Sequence, residues 1–480
     1  MKVLFVASEV DPFMKTGGLA DVAYALPKAL RKLGIDIRVM MPNYESIPQK
    51  YKDRMSKISS FSIPVGWRNQ YGGLLYLEED GIPFYFLDNE YYFKRSDGAY
   101  GYYDDGERFV YFSRGVVESI KFMGDFKPDI VHCNDWHTAI IPLLIKEQYK
   151  GNHIFSNIKT LFTIHNLQYQ GIFNKEILVE LLGLGDNYFS ESSLKYYDKI
   201  SFMKGGIIYS DIVTTVSKTY SEEIRTQNYG EGLHGLLNEI SYKLYGIING
   251  VDYDLFNPRY DKDLYFNFDE NNIEDKWKNK LELQKSLGLS VDMNIPMIGI
   301  VSRLASQKGM DLICYVMEEI MKLNVQLVVL GTGENKFEEA FRYYAQIYPQ
   351  KVSSNIFFSN ELAKKIYGSS DMFLMPSQFE PCGIGQLIAM RYGSLPIVRE
   401  TGGLKDTVNS YNEFSGEGNG FSFTNYNAHD MLYTIKRALN FYYNKGVWNN
   451  LMINSMKIDN SWNKSANEYI QIYDKLLWDM

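Results

Sequence analysis

Arg303 and Lys308 stand five residues apart in Ser302-Arg303-Leu304-Ala305-Ser306-Gln307-Lys308-Gly309. On a loop that follows a strand, two such cations can converge on one diphosphate, Arg as a planar fork and Lys as a point charge. A basic loop facing water is the other reading of the same residues. Lys15-Thr16-Gly17-Gly18-Leu19-Ala20-Asp21-Val22 offers a second anion site. Gly17 and Gly18 would let backbone N–H groups approach a phosphate at a helix N-terminus, and Lys15 would add charge; a plain tight turn is the competing account. Neither segment is the G-x-G-x-x-G of a dinucleotide fold, and G-x-x-x-x-G-K-[ST] occurs nowhere. In Phe379-Glu380-Pro381-Cys382-Gly383-Ile384-Gly385-Gln386-Leu387, Glu380 could accept hydrogen bonds from sugar hydroxyls while the glycines open a helix N-terminus to phosphate. Otherwise Glu380 only complements that helix dipole.

Histidines are scarce. His132 and His137 flank Asp135, but their spacing matches no standard metal motif such as H-E-x-x-H. His165 closes the run Phe162-Thr163-Ile164 and is either a structural residue or a site residue. No G-x-S-x-G elbow is present, so an ordinary α/β-hydrolase is not supported.

The elements that must position these groups follow from hydrophobic patterning. Val3–Ala7 reads as a strand buried on both faces, Leu19 to Leu33 as a helical stripe, and residues 35–40 as a second strand, which makes a βαβ unit. Further strands are expected at residues 83–87, 130–133, 159–164 and 212–216. Ser46 to Gly106, richer in Tyr and Gly, reads as an insertion of hairpins and loops. The alternation resumes with strands at residues 297–301, 325–330, 371–375 and 395–398 and a helix over residues 310–323. The expectation is two doubly wound α/β domains, about 1–250 and about 256–460, joined near Asn249–Pro258 and facing each other across a cleft.

The chain has 480 residues, 45% hydrophobic and 22% charged, which excludes wholesale disorder and fibrous classes. Fifty Lys+Arg against 58 Asp+Glu give a net charge of −8, which argues against a nucleic-acid or anionic-membrane partner and leaves room for one small anion. Three scattered cysteines, no leading signal-like segment and no run of about 20 apolar residues point to a cytoplasmic protein without a membrane span.

Taken together, the segments closely resemble the bacterial glycogen synthase and plant starch synthase family. Lys15–Val22, Asn134-Asp135-Trp136-His137, Thr163-Ile164-His165-Asn166 through Gly171, Asn249-Gly250-Val251-Asp252, Ser302–Gly309, Glu380-Pro381-Cys382-Gly383 and Thr401-Gly402-Gly403-Leu404 carry the likeness, in the family's order. The resemblance implies a GT-B fold, two Rossmann-like domains with a C-terminal helix (residues 461–480) crossing back to the first. It implies a retaining transferase that moves glucose from ADP-glucose to the non-reducing end of an α-1,4-glucan, with no metal or other cofactor.

By position, the resemblance assigns Lys15, Gly18, Arg303 and Lys308 to the diphosphate, with Gly17 in the nucleotide-sugar set. Glu380 goes to the glucose hydroxyls, and Asp135 and His165 to the glucosyl pocket. Asn249, Cys382, Gly383, Ile384 and Gly385 join the nucleotide-sugar set, and Phe358 lies where the family places an aromatic against adenine. Glu9, Asp21 and His137 fall toward the acceptor. Ile384-Gly385 departs from the usual Leu and polar residue. Where broader retaining GT-B enzymes carry a second glutamate, with seven residues between it and the first, this chain has Ile388. The starch synthase branch usually lacks that glutamate too, so a front-face route is expected in which the leaving phosphate takes the acceptor proton. The alternatives are a GT-B transferase for UDP-glucose or another acceptor, a non-catalytic glucan-binding relative, and, remotely, a dinucleotide-dependent oxidoreductase.

Overall fold

Apolar runs such as Val3-Leu4-Phe5-Val6, wholly covered, become strands of parallel sheets with both faces packed. The computed structural model describes residues 1–96 and 98–478. The chain divides into two compact units, residues 1–249 with the terminal helix Trp462–Trp478, and residues 250–461.

In the first unit the strands are β1 (Lys2–Val6), β2 (Asp36–Pro42), β3 (Ser56–Val65), β4 (Arg68–Glu79), β5 (Ile82–Asp88), β6 (Ile130–Asn134), β7 (Lys159–Ile164), β8 (Ile172–Phe173), β9 (Lys195–Tyr196), β10 (Lys199–Ser201), β11 (Ile212–Thr215) and β12 (Leu244–Gly246). Nine of them form one sheet in the order β12-β11-β7-β6-β1-β2-β5-β4-β3. Seven run parallel, and the segment expected as a hairpin insertion supplies the antiparallel edge, β3 paired with β4 and β4 with β5. Strands β8, β10 and β9 make a small separate sheet. The terminal helix packs on the helix Gly18–Lys32. It is fastened where Tyr473 Oη meets His132 Nδ1 at 2.8 Å and Ser465 Oγ donates to Ile248 O at 2.6 Å.

The second unit holds β13 (Met297–Val301), β14 (Gln326–Leu330), β15 (Val352–Asn355), β16 (Met372–Met375), β17 (Leu395–Arg399) and β18 (Phe421–Phe423), all parallel, in the order β15-β14-β13-β16-β17-β18. The helix expected over residues 310–323 is broken in two, Met310–Tyr315 and Met317–Met321. Between them Val316 leaves helical geometry (φ −110°, ψ 20°) and is fully buried, so packing overrides the continuous helical pattern. Strands β12, β15 and β18 were not expected. At three or four residues each, they are too short for periodicity to reveal.

Candidate active site

Ligands of open α/β sheets lie beyond the carboxyl ends of the strands, where the strand order reverses. In the first unit the reversal falls between β1 and β6. Glu9 and Lys15 follow β1, Asp135 and His137 follow β6, and His165 follows β7. Gly17 caps the helix Gly18–Lys32 with an extended backbone (φ −154°), so neither its dihedrals nor a clash requires glycine there. A Cβ on Gly18 would meet nothing within 4 Å. Lys15 Nζ pairs with Asp21 Oδ1 at 2.5 Å. Burial raises the Asp21 carboxyl, against the lowering charge of Lys15. Glu9, buried, accepts from Thr16 N at 2.6 Å, and burial pushes its carboxyl up as well.

Asp135 adopts φ 55° and ψ 178°, outside the left-handed helical well and in a region that side-chain-bearing residues rarely occupy. This turns its carboxylate to the His165 N–H at 2.8 Å, and burial pushes its pKa up to about 7. Burial pushes His165 down to about 3, so its ring is neutral. Asn134 Nδ2 donates to Val6 O, which leaves Oδ1 to accept from His165 Nε2 at 2.9 Å. His165 Nδ1 is then a hydrogen-bond acceptor, suited to a sugar hydroxyl. His137 is buried between Trp136 (centroids 4.0 Å apart), Tyr100 (4.3 Å) and Phe109 (4.7 Å), and neither of its ring nitrogens has a partner among the described residues. Desolvation, with the nearby Arg108 charge, holds it well below the ordinary histidine range. His132 is buried and tied to Thr163 and Tyr473. Among the described residues no three His, Cys, Asp or Glu side chains are grouped to hold a metal ion.

In the second unit the reversal lies between β13 and β16. Lys308, on the loop after β13, donates to Glu380 Oε2, on the loop after β16, at 2.6 Å. Ser377 Oγ donates to the same oxygen at 3.0 Å. Arg303 stands exposed on the Lys308 loop, 3.4 Å from Gln307 Oε1, with no carboxylate paired to it among the described residues. Glycines set both loops. A Cβ on Gly309 (φ 76°) would lie 2.2 Å from Pro376 O, and one on Gly403 1.9 Å from Cys382 O. Thr401-Gly402-Gly403 thus backs directly onto Glu380-Pro381-Cys382, and Gly403 N donates to Glu380 O at 3.1 Å. Cys382 is buried, and Gly383 takes φ 71° ahead of the helix Gly385–Arg391, for which Ile384 is the N-cap. Phe358 is apart from this cluster, 81% exposed between β15 and the helix Asn360–Ser369. Asn249, the last residue of the first unit before the crossover, is buried with Oδ1 unpartnered among the described residues.

Residues 2–239 match the family model described as the starch synthase catalytic domain, and residues 286–444 match glycosyl transferases group 1. A glycogen synthase of Clostridium acetobutylicum is 63% identical over 99% of this chain and 100% of that protein. One of Caldicellulosiruptor saccharolyticus is 58% identical over 99% and 100%. The chain belongs to the glycogen synthase family. It is a glycosyltransferase, as the resemblance implied. The catalytic domain of starch synthase IV from Arabidopsis thaliana, solved with ADP and acarbose, superposes with TM-score 0.91 at 34% identity over 99% of both chains. Sucrose-phosphate synthase of Thermosynechococcus elongatus shares the fold at TM-score 0.63 and 16% identity over all of both chains. These neighbours bear out the GT-B fold class. No helix among the described residues is long and apolar enough to cross a membrane.

Within this family frame the sequence motifs located the loops and left their cross-links unread. Thr16, Ser377, Tyr100 and the Gly402-Gly403 backing of Glu380 were not assigned roles. Tyr100, whose hydroxyl lies 2.8 Å from Ser8 Oγ, sits in the Tyr-rich stretch, and its flanking glycines, Gly98 (φ 109°) and Gly101 (φ 99°), were the available signal. Ile388, at the position of the absent second glutamate, is buried in the helix Gly385–Arg391.

Proposed function

We propose that the chain transfers glucose from ADP-glucose to the non-reducing end of an α-1,4-glucan in the cytoplasm, with retention, lengthening glycogen. The observation that carries this reading is the Lys308–Glu380 pair at the reversal of the second sheet, with Arg303 on the same loop and no carboxylate paired to it among the described residues. Arg303 and Lys308 stabilise the charge that grows on the leaving diphosphate, the part a metal plays elsewhere. In the first unit, Lys15 and the open space at Gly18 are suited to a phosphate of the donor. Glu380 takes glucose hydroxyls, with Cys382 to Gly385 bordering the donor and Phe358 and Asn249 at its nucleotide and sugar. Asp135 and the neutral His165 line the glucosyl pocket, and Asp21 and His137 lie toward the glucan.

A buried Ile388 offers no second carboxylate for a covalent intermediate. The C1–phosphate bond therefore breaks as the acceptor 4-hydroxyl oxygen bonds to C1 from the same face, and a departing phosphate oxygen takes the hydroxyl proton. The Arabidopsis relative bound to ADP supports an adenine donor. The test is transfer into glycogen from ADP-glucose and from UDP-glucose, side by side, with analysis of the new linkage. Preference for ADP-glucose and an α-1,4 product are expected. Equal or reversed preference overturns the donor, and glycogen binding without release of ADP overturns catalysis.

A further inference from the structure

Glu9 is only 3% exposed, an environment that disfavours a carboxylate unless donors surround it. The donors come from one turn. Glu9 Oε2 accepts from Thr16 N at 2.6 Å and from Thr16 Oγ1 at 2.5 Å, and the amides of Gly17 and Ala20 also favour its anion. A Cβ on Gly17 would lie 3.7 Å from Oε1. These groups open the helix Gly18–Lys32, whose N-cap, Gly17, brings no side-chain cap of its own. Uncapped first-turn amides call for an acceptor and the helix dipole for a negative charge. Glu9 brings the negative charge from the loop after β1 and grips the helix entry at Thr16, just ahead of the N-cap. Its Oε2 is spent on Thr16, and the turn it grips is the one that presents Lys15 and Gly18.

We propose that Glu9 is a positioning residue: its carboxylate holds Lys15-Thr16-Gly17-Gly18 in the form that receives the donor diphosphate, and it does not touch the glucan. The resemblance alone had set Glu9 toward the acceptor. This role rests on the donor reading of Lys15 and Gly18 given above.

The test compares Glu9→Ala, Glu9→Gln and Thr16→Val in the full chain, with Lys15→Ala as control. ADP affinity is measured by calorimetry, KM is measured separately for ADP-glucose and for glycogen, and melting curves report the fold. Loss of a charged hydrogen-bond partner should raise the ADP Kd and the donor KM about tenfold in Glu9→Ala. The glycogen KM should stay within about twofold of the parent, because on this proposal no glucan contact is lost. Glu9→Gln keeps one accepting oxygen and should fall between parent and Glu9→Ala. Thr16→Val, which keeps the amide and loses the hydroxyl, should weaken ADP in the same direction. The double variant Glu9→Ala/Thr16→Val should be no worse than Glu9→Ala, since both act through one contact. A raised glycogen KM with unchanged ADP affinity overturns the proposal. If Lys15→Ala weakens ADP and Glu9→Ala does not, the positioning role alone falls. If Lys15→Ala leaves ADP affinity untouched, the donor reading of this turn falls and takes the proposal with it. Should Glu9→Ala fail to fold, Thr16→Val decides by the same criteria.

Discussion

Replacing Lys308 by Ala cuts the ion pair to Glu380 and should separate the pair's structural part from its chemical part. At 2.6 Å and an effective dielectric constant of ~20, the gross attraction is about 6 kcal/mol. Desolvation of two side chains only 18% and 9% exposed cancels much of that. Removing one partner of a buried pair costs about 3–5 kcal/mol, because the other charge is left stranded. Here Ser377 Oγ still donates to Glu380 at 3.0 Å and some solvent reaches the site, so a loss of about 2 kcal/mol in the second unit is expected. Transfer should fall about 10²–10³-fold, the kinetic equivalent of losing ~3–4 kcal/mol of leaving-group stabilisation. The double variant Lys308→Ala/Glu380→Gln removes the stranded charge. Its stability should return to within about 1 kcal/mol of the parent while transfer stays depressed. Urea unfolding and ADP-glucose transfer into glycogen, measured on the same preparations, decide the matter. Parental turnover in Lys308→Ala would refute the leaving-group role. Recovery of transfer together with stability in the double variant would show that the single substitution failed through folding alone.

Gly18→Ala should leave the melting temperature unchanged, because a Cβ there meets nothing within 4 Å, yet raise the donor KM; an unaltered KM would mean that no ligand comes close. Gly403→Ala should do the reverse, lowering stability by ~2 kcal/mol or more, since its Cβ would stand 1.9 Å from Cys382 O. The pH dependence of unfolding has two opposed parts. Asp135, raised from 3.8 to about 7, binds its proton more tightly when folded, so its contribution is full below pH 3.8 and lost as the pH rises through 7. His165, lowered from 6.5 to about 3, contributes above pH 6.5 and loses that contribution as the pH falls toward 3. Asp135→Asn should therefore lose stability more steeply than the parent on acidification from pH 6.5 to 3.8, read as urea midpoints; parallel curves would contradict the buried-carboxyl account.

Most strands of both sheets were legible, because Val3–Val6 or Met297–Val301 are apolar without interruption, and two-sided burial leaves no other choice. The candidate groups were legible wherever their chemistry is local, as at Lys15 to Gly18 or Arg303 to Lys308. What sequence could not supply was pairing across distance. Lys308 and Glu380 are 72 residues apart, and nothing in either segment names the other. Thr401-Gly402-Gly403 could be matched to a family, but its task, giving the carbonyls of Glu380 and Cys382 room for close approach, appears only in space. The break at Val316 escaped for the same reason: helical periodicity is a local signal, and the pull that interrupted it came from the core.

The terminal helix has a consequence for how the protein is made. Trp462–Trp478 belongs to the first unit, where Tyr473 closes over His132 of β6 and Ser465 holds the carbonyl of Ile248. Domains generally fold in order as they are synthesised. Here, residues 1–249 emerge first but must wait, with one flank of their sheet uncovered, until all of residues 250–461 have followed and the last 17-residue helix arrives. The second unit can complete itself earlier, so the part of the chain born first is the part finished last.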